Sequence, residues 1–541
     1  MRSVIRRLLD PKQANIPVKH FILPTFPDQG PDVNEKIGVG IWPDRLILTD
    51  PGNGFEALQQ AAKATIKDLA DLTFKELIRT DKAAYLKKNF AFEAPATAQA
   101  IEDHFRAYFR LAMLEVDEKD LPEAGDSFVK KVNALLDHLE LAPVLAPLDP
   151  DYVAILLRAA HRSFLIKDAF HQRWKFESLV EVATADLRQV NPARYETIVQ
   201  EDFEQKDSPG HSEEDDLLDL LGREPDFRPF MSNYHRYIAI VHADGDRIGA
   251  LLGKLGNNQD DVKEFSRRLY DFGKQANHIL GGDRYAANPT SYGHGAAPLY
   301  LGGDDLVFFA PVARRDAVTG KLTTIFDCLQ ELDIAFGTLF SPYAAKGVVP
   351  TLSYGVSITY FKYPLQEALA VSRDLLNAVK EDTPVYKTRN RIHFRVLKHS
   401  GQHFGAVIDK NDHCLYHQWF EVLNARLDTV NDRRKEKANL LAGVAHKLDR
   451  LQPLLIPAIQ REGDAKRANE PDYASLIDPL FKNQFNEKVH RNPRDKDRLN
   501  DFLEQLKQFI ALSRGSKDAP DLDLAYALLR FIHFLNAREH D

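Results

Sequence analysis

Apolar and polar positions follow two different patterns in the first part of the chain. Residues 37–42 and 45–49 are short apolar runs, which predict strands, whereas residues 55–72 carry apolar side chains at helical spacing. From about residue 96 to residue 185 the spacing stays mostly helical. The pattern therefore indicates a mixed α/β segment followed by a helical one.

The pattern changes after an acidic, turn-rich stretch at residues 201–229. That stretch contains the run Glu213–Asp216, and a like-charged run of this kind is typical of a solvated linker. An acidic contact surface for a basic partner is the alternative that the sequence leaves open. This stretch is the clearest domain boundary in the sequence.

Beyond the linker, strands and helices alternate. Strands are predicted over 237–243, 299–301, 306–309 and 352–361, and helices over about 261–280, 322–339 and 365–380. Gly-Gly-Asp-Asp at residues 302–305 joins the second and third strands and predicts a tight hairpin, because glycine accepts positive φ. The order β-α-β-β-α-β is the split βαβ, or ferredoxin-like, arrangement. Residues 402–541 are polar and mainly helical in pattern, so we predict an α+β fold.

The composition places the chain among ordinary globular proteins. Its 541 residues include 71 basic and 79 acidic side chains, for a net charge of −8, and 44% are hydrophobic. These values exclude a disordered or collagen-like chain. Because the net charge is negative, nucleic acid binding would need local basic patches or partner chains. Cys328 and Cys414 are too few for a disulfide framework or a four-cysteine zinc site. Without a signal peptide or an apolar stretch of membrane-spanning length, we expect a cytoplasmic protein with no membrane partner.

Two acidic clusters carry the candidate chemistry. Asp244-Gly245-Asp246 follows the first strand of the ferredoxin-like unit, and Asp304-Asp305 lies in the hairpin turn. Because the first strand of a split βαβ unit lies beside the hairpin strands, we expect these carboxylates to converge at one edge of the sheet. Neighbouring carboxylates resist joint ionisation, and a bound Mg²⁺ or Mn²⁺ relieves the repulsion. Two such ions, about 3.5–4 Å apart, would activate a hydroxyl and stabilise a leaving pyrophosphate.

The segment after Asp244 predicts a phosphate site. Residues 246–249 would open a helix or tight turn whose free N–H groups bind an anion, and Gly245 allows close backbone approach. Lys380, near the end of an amphipathic helix, would reach a triphosphate as a point charge. The alternatives are a turn that is rich in Asp and Gly for conformational reasons alone and, for Lys380 and Arg247, ordinary solvated side chains.

These motifs resemble a known family. Residues 243–249 together with residues 301–306 are similar to the large palm-domain subunit of type III CRISPR effector complexes, the Cas10 family, in its Cmr2 branch. The strand (353–358) and helix (364–369) after the turn are also similar, as are the lysine-ended helix (375–380) and the closing strand (395–401). Residues 21–24 are loosely similar to the start of the family's first palm. The strong similarity covers about residues 237–401.

The resemblance implies a domain order and an activity. An N-terminal palm-like α/β domain (residues 1–100) would be followed by a helical domain with the acidic linker (101–230). A catalytic palm domain (231–401) and a C-terminal helical domain (402–541) would complete the chain. Members of the family convert ATP into cyclic oligoadenylates, an antiviral second messenger, when the crRNA of the complex pairs with target RNA. The implied partners are other Cmr-type effector subunits, crRNA and target RNA. ATP would be the substrate, and Mg²⁺ or Mn²⁺, two ions per site, would be the cofactor.

The resemblance also implies roles for individual residues. Asp244, Asp304 and Asp305 would bind the metal ions, and Asp304 and Asp305 would be the catalytic pair. The predicted nucleotide-binding residues are Gly245, Asp246, Arg247, Ile248, Gly249, Gly302, Gly303 and Lys380. A 3′-hydroxyl of one ATP would attack the α-phosphate of another.

The sequence departs from the family pattern in two respects. The only His-Asp dipeptide is His540-Asp541, so we expect neither the HD nuclease domain of many members nor DNase activity. The family's four-cysteine zinc site cannot form with two cysteines. A mixed zinc site can be drawn from His413, Cys414 and His417, but we expect a surface loop without metal there.

Basic segments and one histidine leave alternatives open. Residues 387–398 and 488–498 are basic, and a solvated surface is favoured over RNA contact for both. His242, beside the acidic cluster, is predicted to be a packed strand residue rather than a ligand. For the whole chain, a free-standing nucleotide cyclase of the GGDEF type and a catalytically inactive scaffold are the alternatives to the RNA-activated enzyme.

Overall fold

A computed structural model of the chain describes the central sheet and separate parts of the flanking regions. The described residues are 2–26, 45–49, 52–78, 87, 97–109, 112–117, 119, 128–141, 177–206, 217–256, 258–282, 291, 293–315, 321–381, 389–427, 501–502, 504–506, 508–510, 512 and 522–536. Several predicted features lie outside them, namely the strand at 37–42, the acidic run at 213–216, the basic segment at 488–498 and the dipeptide at 540–541.

Apolar residues at helical spacing form the helices that precede the central sheet. Their bounds are α1 (Arg2–Leu9), α2 (Gly54–Leu77), α3 (Ala98–Tyr108), α4 (Phe128–Leu141), α5 (Leu179–Ala183), α6 (Leu187–Val190), α7 (Pro192–Lys206) and α8 (Leu217–Arg223). Two short strands, β1 (Phe21–Leu23) and β2 (Ile47–Leu48), pair antiparallel. The helix predicted over 55–72 is confirmed by α2, whereas the described parts of the predicted linker are largely helical, in α7 and α8.

The second half of the chain contains the remaining strands and the helices that cover them. The strands are β3 (Tyr237–Asp246), β4 (Ala297–Gly302), β5 (Asp305–Pro311), β6 (Ala313–Arg315), β7 (Leu322–Thr324), β8 (Thr351–Tyr360), β9 (Arg391–Leu397) and β10 (His403–Asp409). The helices are α9 (Ile248–Leu255), α10 (Gln259–Gly281), α11 (Ile325–Phe340), α12 (Leu365–Lys380), α13 (His413–Leu427) and α14 (Leu522–Asn536). Six of the strands form one sheet in the order β10-β9-β8-β3-β5-β4, and β6 pairs with β7.

The order β8-β3-β5-β4 confirms the predicted ferredoxin-like unit and the α+β class. β3 pairs antiparallel with both β5 and β8, and β4 pairs antiparallel with β5. β3 and β4 are therefore parallel strands with β5 inserted between them, which is the split βαβ arrangement. After α12, β9 adds to the sheet parallel to β8.

β10 is a strand inside residues 402–541, the region predicted to be mainly helical. Phe404, Ala406 and Ile408 alternate along β10 and are buried, whereas the residues between them are more exposed. This period of two is the strand pattern, and antiparallel pairing with β9 supplies the hydrogen bonds of its backbone. The stretch is short, which is why the polar helices that follow it dominate the overall pattern.

Helices cover the two faces of the sheet differently. On one face, Ala243 and Leu306 belong to the main core together with buried residues of α10 and α11. On the other face, Ile240 of β3 packs in a smaller cluster with Ala368 of α12. α12 lies directly on β8 at Gly355, where a Cβ would be 2.1 Å from a carbonyl oxygen of the helix. The same cluster includes Val182 of α5 and Phe309 of β5, so α5 also packs on this face.

The N-terminal part packs on the same core as the sheet. The N–H of Thr25 donates a hydrogen bond to Oγ of Ser266 at 2.9 Å, and the rings of Phe26 and Tyr270 pack edge to face with centroids 5.6 Å apart. Buried residues of α1 and β1 belong to the main core. In the part of the chain that the structure describes, no helix has the length and apolar character needed to cross a membrane. The predicted domain boundaries stay a prediction.

Candidate active site

Three carboxylates meet at one edge of the central sheet. Oxygen atoms of Asp244, Asp304 and Asp305 lie within 4.8 Å of one another, close enough to hold a metal ion. Asp244 belongs to β3, Asp304 to the hairpin turn and Asp305 to β5, so the pairing of β3 with β5 brings them together. The structure thus gathers the three predicted metal ligands, whose role as ligands stays a prediction.

β3 runs three residues further than its apolar pattern indicates. The predicted strand ends at Ala243, but pairing with β8 continues through Asp244 opposite Ser353 and Asp246 opposite Thr351. The backbone hydrogen bonds of the neighbouring strand extend β3 where its side chains are polar. Asp244 and Asp246 consequently lie on the same face of the sheet.

The hairpin turn consists of Gly303 and Asp304. Gly302 pairs with Asp305 in register, and Gly303 has a φ of +85°. A positive φ at the first of two turn residues is the type II′ pattern, which favours glycine there. A Cβ on Gly245 would lie 2.7 Å from both Cβ and Oδ2 of Asp304. Gly245 therefore allows the turn to sit directly against β3.

The local electrostatics disfavour three free negative charges at this edge. Burial, and then the charge of Asp244, raises the pKa of Asp304 to about 6. Partial burial, and then the charges of Asp304 and Asp244, raises the pKa of Asp305 to about 7. Near neutral pH the cluster therefore retains protons that a cation would displace. An all-carboxylate donor set suits hard divalent ions such as Mg²⁺ or Mn²⁺.

Lys380, the last residue of α12, reaches the carboxylates. Its Nζ donates hydrogen bonds to Oδ2 of Asp244 and, at 3.0 Å, to the carbonyl oxygen of Gly245. Nζ also lies 3.8 Å from Oδ1 of Asp246, and the lysine side chain is 15% exposed. This placement differs from the solvated helix-end lysine that the sequence left open.

Asp246 differs from the other acidic residues because it is buried. Its Oδ2 accepts hydrogen bonds from Thr351 Oγ1 at 2.9 Å, Ser353 Oγ at 2.8 Å and the backbone N–H of Asn390 at 3.0 Å. The side chain of Asp246 is 1% exposed. The structure thus places Asp246 beneath the cluster, with its second oxygen toward Lys380.

The residues that hold Asp246 are not among those predicted from the sequence. Thr351 and Ser353 are alternate positions of β8, and hydroxyl side chains at period two in an otherwise apolar strand are the signal that would have found them. Asn390 carries no such signal, because its role depends on a φ of 71° just before β9. Asparagine tolerates this left-handed conformation better than most residues.

The chain enters α9 directly after β3. Arg247 has a φ of 61°, and the helix runs from Ile248 over eight residues, which confirms the predicted helix opening. Gly249 in the first turn has open space around it, since an added Cβ would meet no atom within 4 Å. The N–H groups at this helix start lie next in sequence to the acidic strand end, where they would favour a phosphate.

His242 lies two residues before Asp244, on the same face of β3. Its ring is half-buried, and Nδ1 is 2.8 Å from Oγ of Ser372 in α12. The position agrees with the predicted packed strand residue. In the same row of the sheet, Val307 of β5 pairs with His242 on one side and with Tyr300 of β4 on the other.

The candidate zinc residues lie on a helix instead of the predicted surface loop. His413, Cys414 and His417 occupy the first turns of α13, and Asp412 accepts a hydrogen bond from the N–H of Leu415 at 3.0 Å. This contact is an N-cap, which explains why the helix begins there. Among the described residues, these side chains form no group that can hold a metal ion.

The described part of the basic segment at 387–398 is mostly strand β9. Arg391 is buried and pairs with Asp409 of the neighbouring strand β10 at 3.1 Å, so its side chain is part of the protein interior. Arg395 is half-buried.

Comparison with known proteins identifies the sheet that carries the carboxylates. Residues 237–393 match the family model described as Cas10/Cmr2, second palm domain. This part of the chain is similar to a Cas10/Cmr2 second palm domain. The matched range includes Asp244, Asp304, Asp305 and Lys380, and the match confirms the resemblance inferred from the sequence. No curated protein matches the chain.

Solved structures similar to the chain are those of a Csm1-Csm4 cassette. The chain is 16% identical to the cassette in complex with cA4, with a TM-score of 0.32 over 56% of this chain and 37% of that one. For the cassette in complex with one ATP the identity is 16% and the TM-score 0.31, over 56% of this chain and 36% of that one. For the complex with cA3 the identity is 16% and the TM-score 0.29, over 55% of this chain and 36% of that one. The matched region thus spans little more than a third of those chains, and the likeness is too distant to assign a function.

Proposed function

We propose that this chain is the nucleotidyltransferase subunit of a crRNA-guided type III CRISPR complex. It converts ATP into cyclic oligoadenylate, or a related adenylate, when the complex binds target RNA. Its partners are other Cmr-type effector subunits, crRNA and target RNA. These partners rest on the family match at residues 237–393.

The observation that supports the proposal is the convergence of Asp244, Asp304 and Asp305. Three carboxylates within 4.8 Å offer the oxygen ligands for one or two divalent cations. Held by these carboxylates, such ions would supply charge neutralisation at the attacking 3′-hydroxyl, the α-phosphate and the leaving pyrophosphate. Catalysis of phosphoryl transfer consists mostly of such positioning and charge neutralisation. The protein contributes by holding the three carboxylates together before the ions bind.

The residues around the carboxylates fit the binding of a triphosphate. Lys380 supplies a positive charge next to Asp244, and the N–H groups at the start of α9 supply an anion-binding helix end. In the structure Lys380 pairs with Asp244. A metal ion on Asp244 would compete for that oxygen and leave the lysine free to bind phosphate.

The test is turnover of labelled ATP by the purified native complex with Mg²⁺ or Mn²⁺, with and without target RNA. The double variant Asp304→Ala/Asp305→Ala should lose product formation by at least about 1000-fold, because it removes two of the three carboxylates. Asp374→Ala is the matched control, since Asp374 is an exposed carboxylate on α12 away from the cluster. The control should retain full activity.

The same assay separates the alternatives. A free-standing GGDEF-type cyclase would make product without RNA, and its activity would survive nuclease treatment of the complex. An inactive scaffold would bind ATP and form no product with any ion. Full activity of the Asp304→Ala/Asp305→Ala variant would refute the site assignment itself.

A further inference from the structure

We propose that His242 selects adenine, by accepting a hydrogen bond from the 6-amino group of the ATP base at Nε2. The inference rests on the proposed function, because it concerns the nucleotide of the same site. The observation that carries it is a row of side chains across three strands, next to the row that holds the carboxylates.

The hydrogen-bond network around His242 assigns its tautomer. The hydroxyl of Ser372 donates its proton to the carbonyl oxygen of Leu369 at 3.0 Å. The same hydroxyl lies 2.8 Å from Nδ1 of His242, so it accepts there and Nδ1 carries the proton. A neutral imidazole protonated at Nδ1 has an unprotonated Nε2, which is a hydrogen-bond acceptor. Within the described residues, no hydrogen bond to this Nε2 is formed.

The two rows place a nucleoside beside the carboxylates. The metal row contains Asp244, Asp305 and Gly302, and the next row on the same face contains His242, Val307 and Tyr300. Two residues along a strand separate the rows, which is about 6.6–6.8 Å. Across the second row, two strand spacings separate His242 from Tyr300, about 9.4–9.8 Å, with the half-buried Val307 between them. This spacing leaves an apolar floor of the width of a purine ring.

The direction of the nucleotide follows from the position of its phosphate anchors. Lys380 contacts Asp244 and approaches Asp246, so it lies on the far side of the metal row from His242. With the triphosphate at Lys380 and the α-phosphate at the metal row, the ribose and base extend toward His242. α12 borders this groove, because Ser372 and Lys380 of one helix contact the strand at both ends of it.

Tyr300 forms the opposite side of the groove. A Cβ on Gly302 would lie 2.2 Å from the hydroxyl of Tyr300, so the ring lies along β4 over this glycine. A register shift between Pro298 and Tyr300 marks a bulge in β4, and bulges redirect the side chains beside them. The ring leans toward the hairpin turn, which leaves Val307 accessible to a base.

An acceptor at this position discriminates between purines. Adenine presents a 6-amino donor to Nε2, whereas guanine presents the 6-oxo acceptor, which Nε2 repels. Purine riboside triphosphate has the same rings with only a hydrogen at position 6, so it isolates the contribution of the amino group. A single net hydrogen bond corresponds to a preference of about threefold to tenfold.

The test compares dissociation constants of ATP and purine riboside triphosphate for the full chain with Mn²⁺. The wild-type chain should prefer ATP about threefold to tenfold. In His242→Phe the preference should disappear through weaker ATP binding, with binding of the analogue unchanged. His393→Phe is the matched control, since His393 lies in the same row of the sheet beyond Gly355, where α12 covers the sheet.

Two results would overturn the inference: a preference that persists in His242→Phe, or an equal loss of both ligands, which a merely structural histidine would cause. Should His242→Phe fail to fold, Ser372→Ala tests the tautomer. Without the hydroxyl of Ser372, the preference for ATP over the analogue should fall to about half. An unchanged preference would contradict the inference. Because binding rather than turnover is measured, a chain that shows the preference yet forms no product refutes the proposed function alone.

Discussion

The same chemical groups, a lysine and neighbouring carboxylates, occur on the two faces of the central sheet with different outcomes. On the face covered by α10 and α11, Lys410 is 3% exposed and donates to both carboxylate oxygens of Asp333, at 2.6 and 2.7 Å. It also donates to the carbonyl oxygen of Leu352 at 2.9 Å, and Tyr354 donates to Asp333 at 3.0 Å. In this pair one cation matches one anion, and each is hydrogen-bonded.

On the face that carries α12, Lys380 lies among a surplus of negative charge. It pairs with Asp244 and approaches Asp246, while Asp304 and Asp305 lie within 4.8 Å of Asp244. The balance of charge and access to solvent therefore distinguishes the two clusters. A closed, matched pair is costly to break because each charge would be left buried alone, whereas an unmatched, partly exposed cluster is a candidate site for added cations.

The largest expected effect is on the matched pair. Lys410→Met leaves Asp333 buried without its cation, and we expect the free energy of unfolding to fall by roughly 3–5 kcal/mol. Urea denaturation monitored by circular dichroism measures it. Lys380→Met should cost much less when Mn²⁺ is present, because the ion replaces the lost charge. Equal losses in the two variants would remove the distinction between the clusters.

The open cluster should respond in activity instead. Lys380→Met removes the cation next to the proposed triphosphate site, and we expect turnover of ATP to fall by about 100-fold. Lys254→Met is the control, because Lys254 is an exposed lysine of α9 that donates to the carbonyl oxygen of Lys346. A Lys380→Met variant as active as this control would show that the lysine serves only to pair with Asp244.

A smaller effect is expected from the packing beneath the turn. Gly245→Ala places a Cβ 2.7 Å from Asp304, which must then move away from the other two carboxylates. We expect Mn²⁺ binding, measured by calorimetry, to weaken by about tenfold. Gly249→Ala adds a methyl group where no atom lies within 4 Å and should leave the affinity unchanged. Unchanged affinity in both variants would mean that the cluster tolerates this displacement.

The smallest effect is a pH dependence of stability. The pKa of Asp305, raised to about 7, lies above its unfolded value of 3.8, so the folded state binds the proton more tightly. Stability of the metal-free chain is therefore lost as pH rises from about 4 through 7. In EDTA, Asp305→Asn should melt higher than wild type by about 1 °C at pH 8 and no higher at pH 4. A higher melting temperature at pH 4 alone would have the wrong sign.

The local elements and the topology could be predicted from the sequence to a large extent. Residues 365–380 were predicted as a helix and form α12 with the same bounds, because the apolar spacing is regular. The Gly-Gly-Asp-Asp turn also follows from local chemistry, since only a few residues accept a positive φ. The end of β3 was predicted three residues too early, because the hydrogen bonds that extend it come from β8.

The side-chain contacts within the site depended on distant parts of the chain. Asp246 looked like its neighbours in the sequence, yet Thr351, Ser353 and Asn390 bury it. For Lys380 the sequence left a phosphate ligand and a solvated helix end open, and the length and direction of α12 bring it to Asp244. No local pattern encodes contacts between residues more than a hundred positions apart.

The sequence by itself determined which residues are candidates for the chemistry and the order of strands that would assemble them, because turn conformation and apolar periodicity are local properties. Tertiary structure decided which carboxylates stay open to a cation, which is buried under the sheet edge, and which lysine is matched by an equal charge. Those outcomes depend on burial and on distances between strands and helices, and both are set only when the chain has packed.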